Sequence, residues 1–131
     1  MTDFKKSVIY QIYPKSFYDS DGDGLGDLRG VTEKLDYIKE LGADYIWLTP
    51  FFVSPQNDNG YDVEDYYHID PRYGTMEDFE KLAAGSKERG IGLMLDMVFN
   101  HTSSRHEWLR KVLAGDEQYN NLYIFNTGKG P

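Results

Sequence analysis

The sequence contains no cysteine among its 131 residues, which excludes disulfide bonds and thiolate metal sites. It has only 14 basic residues against 22 acidic ones, and the formal net charge of −8 argues against a nucleic-acid-binding surface. It also lacks a hydrophobic run long enough to cross a bilayer and an N-terminal apolar stretch typical of a signal peptide. We therefore expect a soluble, cytoplasmic protein that binds neither nucleic acid nor membrane.

Tyrosines and carboxylates are abundant instead. Eleven tyrosines offer flat apolar surfaces that end in a hydroxyl group, which suits the binding of sugars, although core packing uses tyrosine too. The excess of carboxylates favours divalent cations.

Three short apolar runs predict strands, at residues 8–13, 45–48 and 93–98. Between them, helical spacing predicts a helix over 31–41, closed by Gly42, and a second helix opened by Thr75, with Asp78 as its capping partner, and ending near Arg89. The order β-α-β-α-β indicates an α/β protein with parallel strands and outer helices.

A barrel explains this pattern better than a doubly wound nucleotide-binding sheet, because no G-x-G-x-x-G turn joins the first strand to a helix. Polar clusters instead follow all three strands, where barrel enzymes carry their chemistry. We assign residues 1–101 to about three of the eight units of a (β/α)8 TIM barrel. Residues 102–131 are assigned to the start of a domain inserted after the third strand, with a helix over 108–113 and a strand over 123–125.

The loop after the first strand carries four carboxylates at alternate positions, separated by glycines. An EF-hand is disfavoured because position twelve of the loop is Gly30, where a bidentate glutamate belongs. The alternatives are a solvated turn and a structural Ca²⁺ or Mg²⁺ site, and mutual repulsion of the carboxylates favours the metal. Its candidate ligands are Asp19, Asp21, Asp23, the Leu25 carbonyl and Asp27.

Two further clusters follow the second and third strands. Asp58 and Tyr61 place a carboxylate beside an aromatic ring, which suits sugar recognition, although Asn-Gly turns are common without any function. Asp96 is predicted inside an apolar strand, where a carboxylate needs a partner, and His101 follows it closely. A structural Asp-His pair remains the alternative to an active-site role.

Together these motifs resemble the α-amylase superfamily of glycoside hydrolases, specifically its α-glucosidase branch, over essentially the whole chain. The segments that carry the resemblance are QIYPKSF at 11–17, the Asp/Gly loop, DNGYD at 58–62 and DMVFNH at 96–101. Within the branch, PKSF at 14–17, WLTP at 47–50 and SPQ at 54–56 look more like enzymes acting on trehalose 6-phosphate than on isomalto-oligosaccharides.

The resemblance implies a retaining hydrolase in which Asp58 and Tyr61 hold a terminal glucose, His101 bonds the same sugar and Asp96 orders the neighbouring groups. It also implies that the nucleophile and the acid/base lie beyond Pro131, in the remainder of the barrel. We therefore expect no catalytic residue in this chain and no activity from it alone. The alternatives are an oligo-1,6-glucosidase activity, a non-catalytic relative of the branch, and a Ca²⁺-binding module.

Overall fold

The computed structural model describes residues 4–126. At its centre lies a parallel three-stranded sheet of β1 (Ile9–Ile12), β2 (Tyr45–Leu48) and β5 (Gly92–Leu95), in the order β1-β2-β5. Tyr45 pairs with Ile9 on one side and with Gly92 on the other. The three predicted parallel strands are therefore confirmed, with β2 formed over the predicted residues.

Helices lie between these strands along the chain, and one more follows the third strand. The strongest local signal was the start of the long helix, where Thr75 and Asp78 form a reciprocal capping box. The helices are α1 (Pro14–Phe17), α2 (Leu28–Glu33), α3 (Leu35–Glu40), α4 (Met76–Glu88) and α5 (Glu107–Leu113), with 3₁₀ turns at Phe4–Lys6 and Glu117–Leu122.

The helix predicted over 31–41 is instead two helices, α2 and α3, that meet at Lys34. It begins earlier than predicted because Asp27 caps its first turn by accepting a hydrogen bond from the Gly30 amide. The Thr32 hydroxyl donates to the Leu28 carbonyl at 2.9 Å, a bond that commonly bends helices. Gly42 follows α3 with a φ of 81°, as a C-terminal glycine does.

Strand prediction failed at three places. The long loop after β2 contains an antiparallel hairpin, β3 (Phe52–Val53) with β4 (Asp65–Ile69), that was not predicted. The predicted third strand ends at Leu95 rather than at residue 98, so Asp96 follows β5 instead of lying within it. Residues 123–125 form no strand, because they pair with no other strand in the described part of the chain.

The core lies between one face of the parallel sheet and helices α2 to α4. Its fully buried side chains are Ile12, Leu28, Val31, Leu35, Ile38, Ile46, Leu48 and Leu82. On the other face of the sheet, Ile9 is 41% exposed, and Trp47 and Met94 are partly exposed. Parallel sheets are normally covered on both faces, so this surface fits the inner wall of a barrel whose other strands are not in this chain. Within residues 4–126, no helix is long and apolar enough to cross a membrane.

Candidate functional site

The loops that follow β1, β2 and β5 are joined by hydrogen bonds at one end of the sheet. Lys15, after β1, donates from Nζ to Asn59 Oδ1 at 2.7 Å. The Tyr61 hydroxyl donates to Asp96 Oδ2 at 2.9 Å and thereby joins the β2 loop to the end of β5. The structure thus brings the predicted polar clusters together on the face where parallel strands end.

The side chains of Tyr61 and Asp96 contact each other directly at this face. Burial and the neighbouring Asp96 carboxylate raise the pKa of Tyr61 to about 12. The phenol therefore stays protonated near neutral pH and donates a hydrogen bond to the Asp96 carboxylate. Asp96 is half-buried beyond the end of β5, and it has the partner that its placement in an apolar segment required.

His101 lies on the other side of Tyr61. Its Nε2 is 3.1 Å from the Tyr61 carbonyl oxygen, and its Nδ1 is 3.2 Å from Asn100 Nδ2. An amide that donates to Nδ1 leaves the hydrogen on Nε2, where it can donate to the carbonyl, so both contacts fit one neutral tautomer. The Tyr66 hydroxyl contacts the His101 carbonyl at 3.0 Å and ties this loop to the hairpin.

Asp58 is exposed beside this cluster. Its amide donates to Asp62 Oδ1 at 3.1 Å, and its carbonyl accepts from the Tyr61 amide at 2.9 Å. Among the residues that the structure describes, none donates a hydrogen bond to the Asp58 carboxylate. Its backbone is thus fixed while both carboxylate oxygens remain available to a ligand with hydroxyl groups.

The Asp/Gly loop gathers part of the predicted metal set. One carboxylate oxygen each from Asp19, Asp21 and Asp27 lie within 4.8 Å of one another, and Asp23 is outside this group. The Asp23 carboxylate accepts instead from the Leu25 amide at 2.7 Å. The amides of Gly24 and Gly22 hold the pKa of Asp19 below its ordinary value. An all-oxygen set of this kind fits a hard cation such as Ca²⁺ or Mg²⁺.

Sequence reasoning missed several residues that hold the site together, namely Ser54, Asp62, Asp70, Arg72 and, as a link to His101, Tyr66. Asp62 lay within a quoted motif but received no role. Asp70 and Arg72 are two residues apart and follow no helical or strand period, and their contacts with Ser54 span 16 and 18 residues. No local pattern predicts such long-range bonds.

Comparison with known proteins agrees with this arrangement. The family model described as alpha amylase, catalytic domain, matches residues 11–131. The chain is 57% identical over 126 residues to trehalose-6-phosphate hydrolase of Escherichia coli (strain K12), covering 96% of this chain and 23% of that protein. It is 53% identical over 127 residues to oligo-1,6-glucosidase of Bacillus cereus, again covering 96% and 23%.

A solved structure supports the same fold. The crystal structure of Bacillus licheniformis trehalose-6-phosphate hydrolase matches with a TM-score of 0.88 and 58% identity, over 92% of this chain and 22% of that one. The chain thus spans less than a quarter of the length of these relatives. On its sequence, its parallel β/α order and this match, the chain belongs to the α-amylase family and forms an N-terminal part of its (β/α)8 catalytic barrel.

Proposed function

We propose that this chain supplies the glucose-binding side of a retaining α-glucosidase. The observation that carries the proposal is the junction of the Tyr61, Asp96 and His101 contacts with an unpaired Asp58 carboxylate at the strand ends. Asp58 accepts hydrogen bonds from two hydroxyls of the terminal glucose, and the Tyr61 ring covers an apolar face of the same sugar. Asp96 keeps the Tyr61 phenol in place.

The bond-breaking groups are assigned to the remainder of the barrel. Retaining hydrolysis requires a nucleophilic carboxylate and a protonated carboxyl about 5 to 5.5 Å apart across the scissile bond. The Asp96 carboxylate already accepts a hydrogen bond from the Tyr61 hydroxyl, and the exposed Asp58 carboxylate is assigned to the sugar hydroxyls. We therefore expect the 131-residue chain alone to be inactive.

The proposed substrate is trehalose 6-phosphate, cleaved to glucose and glucose 6-phosphate. The identities of 57% and 58% to trehalose-6-phosphate hydrolases support it, and the 53% identity to an oligo-1,6-glucosidase keeps isomalto-oligosaccharides as the second candidate. In the full-length protein, kcat/KM for trehalose 6-phosphate should exceed that for isomaltose at least about tenfold, a difference of about 1.4 kcal/mol. Comparing both substrates under one condition checks this, and the reverse order would assign the second activity.

For the Asp/Gly loop we propose a structural Ca²⁺ site held by Asp19, Asp21 and Asp27. After chelation of the full-length protein, adding Ca²⁺ at about 100 times its Kd should stabilise the fold by about 2.7 kcal/mol, which a thermal melt measures. Asp21→Asn should abolish the rise in Tm, whereas Asp23→Asn, the same change outside the cluster, should keep it. If neither variant shows the rise in Tm, Asp23 is a ligand as well, as the sequence predicted. A rise in Tm with Mg²⁺ but not with Ca²⁺ would identify Mg²⁺ as the bound cation.

Two predictions rest on the sequence alone. We place a domain boundary after residue 101, at the end of the motif that contains His101 and before α5. The cytoplasmic location likewise stays a prediction. Limited proteolysis of the full-length protein would test the boundary, with cleavage expected between residues 102 and 131 rather than within the parallel sheet.

A further inference from the structure

The turn that carries Asp58 has an uncommon backbone. Gln56 and Asn59 have φ angles of 62° and 50°, in the left-handed region that side chains other than glycine seldom adopt. Gly60 has a φ of 97°, and a Cβ there would lie 2.9 Å from the Pro50 carbonyl oxygen. Three residues with positive φ within five positions make this backbone conformation costly. Contacts from residues outside the turn must therefore stabilise it.

The Asp62 carboxylate makes the contacts that hold the turn. Its Oδ2 accepts from the Asn57 amide at 2.9 Å, and its Oδ1 accepts from the Asp58 amide at 3.1 Å. Although partial burial pushes the pKa of Asp62 up, the Ser54 hydroxyl and these two amides bring it below its ordinary value. The ionised Asp62 carboxylate therefore accepts hydrogen bonds from two successive backbone amides, one of which is the amide of Asp58.

Ser54 attaches Asp62 to the rigid part of the molecule. Its hydroxyl donates to Asp62 Oδ1 at 2.8 Å and accepts from the Gln56 amide at 2.9 Å. With 3% of its surface exposed, Ser54 can satisfy its hydroxyl only through these neighbours.

An ion pair between the buried Asp70 and the exposed Arg72 fixes the backbone of Ser54 in turn. Asp70, 3% exposed, accepts from the Ser54 amide at 3.3 Å and from Arg72 Nε at 2.8 Å. Arg72 also donates from Nη2 to the Ser54 carbonyl at 2.5 Å. Both backbone polar groups of Ser54 are therefore bound to the Asp70–Arg72 pair, which lies at the end of the β3–β4 hairpin.

We propose that Asp62, braced by Ser54 and the Asp70–Arg72 pair, is the positioning residue that sets Asp58 for the terminal glucose. This inference rests on the proposed binding role of Asp58. We do not assign a sugar contact to Asp62, because both of its carboxylate oxygens already accept hydrogen bonds from Ser54 and from two amides of the turn. Its effect on turnover therefore passes through Asp58 alone.

The test is Asp62→Asn in the full-length protein, alone and combined with Asp58→Asn. The side-chain NH₂ group of asparagine would face one of the two backbone amides that now donate to Asp62. Two donors cannot bond to each other, so that backbone amide would lose its partner. We expect kcat/KM to fall about 20-fold and the inhibition constant of glucose to rise by a similar factor, since misplacing a binding group by about 1 Å can cost 10²-fold. In the Asp58→Asn background, Asp62→Asn should cause no further loss of kcat/KM.

Controls separate positioning from general destabilisation. Asp116→Asn makes the same change at an exposed residue that accepts one amide hydrogen bond, from Gln118 at 3.1 Å, and it should leave kcat/KM unchanged. Ser54→Ala removes the hydroxyl that donates to Asp62 and accepts from the Gln56 amide, and it leaves the Asp62 carboxylate in place. It should lower kcat/KM about fivefold, with no loss in the Asp58→Asn background. It carries the test if Asp62→Asn fails to fold.

Three results would overturn the inference. Wild-type kinetics for both Asp62→Asn and Ser54→Ala would show that the turn holds Asp58 without them. If the fold-loss in kcat/KM of the double variant equals the product of the two single losses, Asp62 acts independently of Asp58. Wild-type kinetics for Asp58→Asn would reject the binding role of Asp58 as well, which distinguishes failure of the proposed function from failure of the positioning role.

Discussion

Asp58→Ala is expected to lower kcat/KM of the full-length protein on the order of 10³-fold. In the proposed site the carboxylate accepts two glucose hydroxyls, and hydrogen bonds to a charged group contribute about 2 kcal/mol each. Losing both costs about 4 kcal/mol, nearly three factors of ten. Steady-state kinetics with the preferred substrate measures the loss.

Folding should survive that substitution, because Asp58 is exposed and its carboxylate has no partner among residues 4–126. The amide that Asp62 holds is retained in alanine. The thermal melt of the variant should therefore coincide with that of the wild type. Activity within about threefold of the wild type would refute the binding role of Asp58, and a large fall in Tm would reveal a structural role instead.

Substitutions of Tyr61 should separate the contribution of its ring from that of its hydroxyl. Tyr61→Phe removes the bond to Asp96 but keeps the ring, and losing one hydrogen bond to a carboxylate costs about 1.5 kcal/mol, or about tenfold in kcat/KM. Tyr61→Ala also removes the ring. Covering about 80 Å² of apolar surface contributes about 2 kcal/mol, so this variant should lose about 300-fold.

Tyr37→Ala provides the control, because this tyrosine is 49% exposed on α3 and lies outside the site. Its kinetics should match the wild type. The ordering of the two Tyr61 variants is the informative result. Equal losses for Tyr61→Phe and Tyr61→Ala would mean that the hydroxyl alone matters and that no sugar packs against the ring.

The sequence predicted those elements whose cause is local. Residues 45–48 are a continuous apolar run, which is typical of a strand in a parallel sheet, and β2 forms there. Thr75 and Asp78 satisfy each other's backbone groups within one helical turn, so the start of α4 was visible in the sequence. The acidic cluster of the Asp/Gly loop and the polar clusters were predictable because chemically similar groups stand close together along the chain.

Features that depend on distant partners were not predictable in the same way. The hairpin pairs Phe52 with Ile69, and β4 carries the exposed side chains of Tyr67 and His68, so neither strand shows a clean alternation. Tyr123 belongs to an apolar run that suggested a strand, yet its hydroxyl bonds to Thr102 at 2.8 Å and no strand forms. Propensity alone cannot supply a pairing partner.

The position of the candidate site was predicted from the sequence, but the contacts within it were not. That Asp58, Asp96 and His101 share one face follows from their positions after parallel strands and was predicted. The particular contacts were not, since Tyr61 bridges to Asp96 across 35 residues and to His101 across 40. Sequence reasoning located the face, and the structure showed which groups on it remain free for a ligand.

A crystal structure of the full-length protein with bound glucose would show whether this face holds a glucose unit. We expect the Asp58 carboxylate oxygens to lie within about 2.5 to 3.0 Å of two sugar hydroxyls, with the Tyr61 ring packed against the pyranose. The Tyr61 bond to Asp96 should be retained. Glucose bound away from Asp58, with the carboxylate still facing solvent, would refute the proposed binding role of this face.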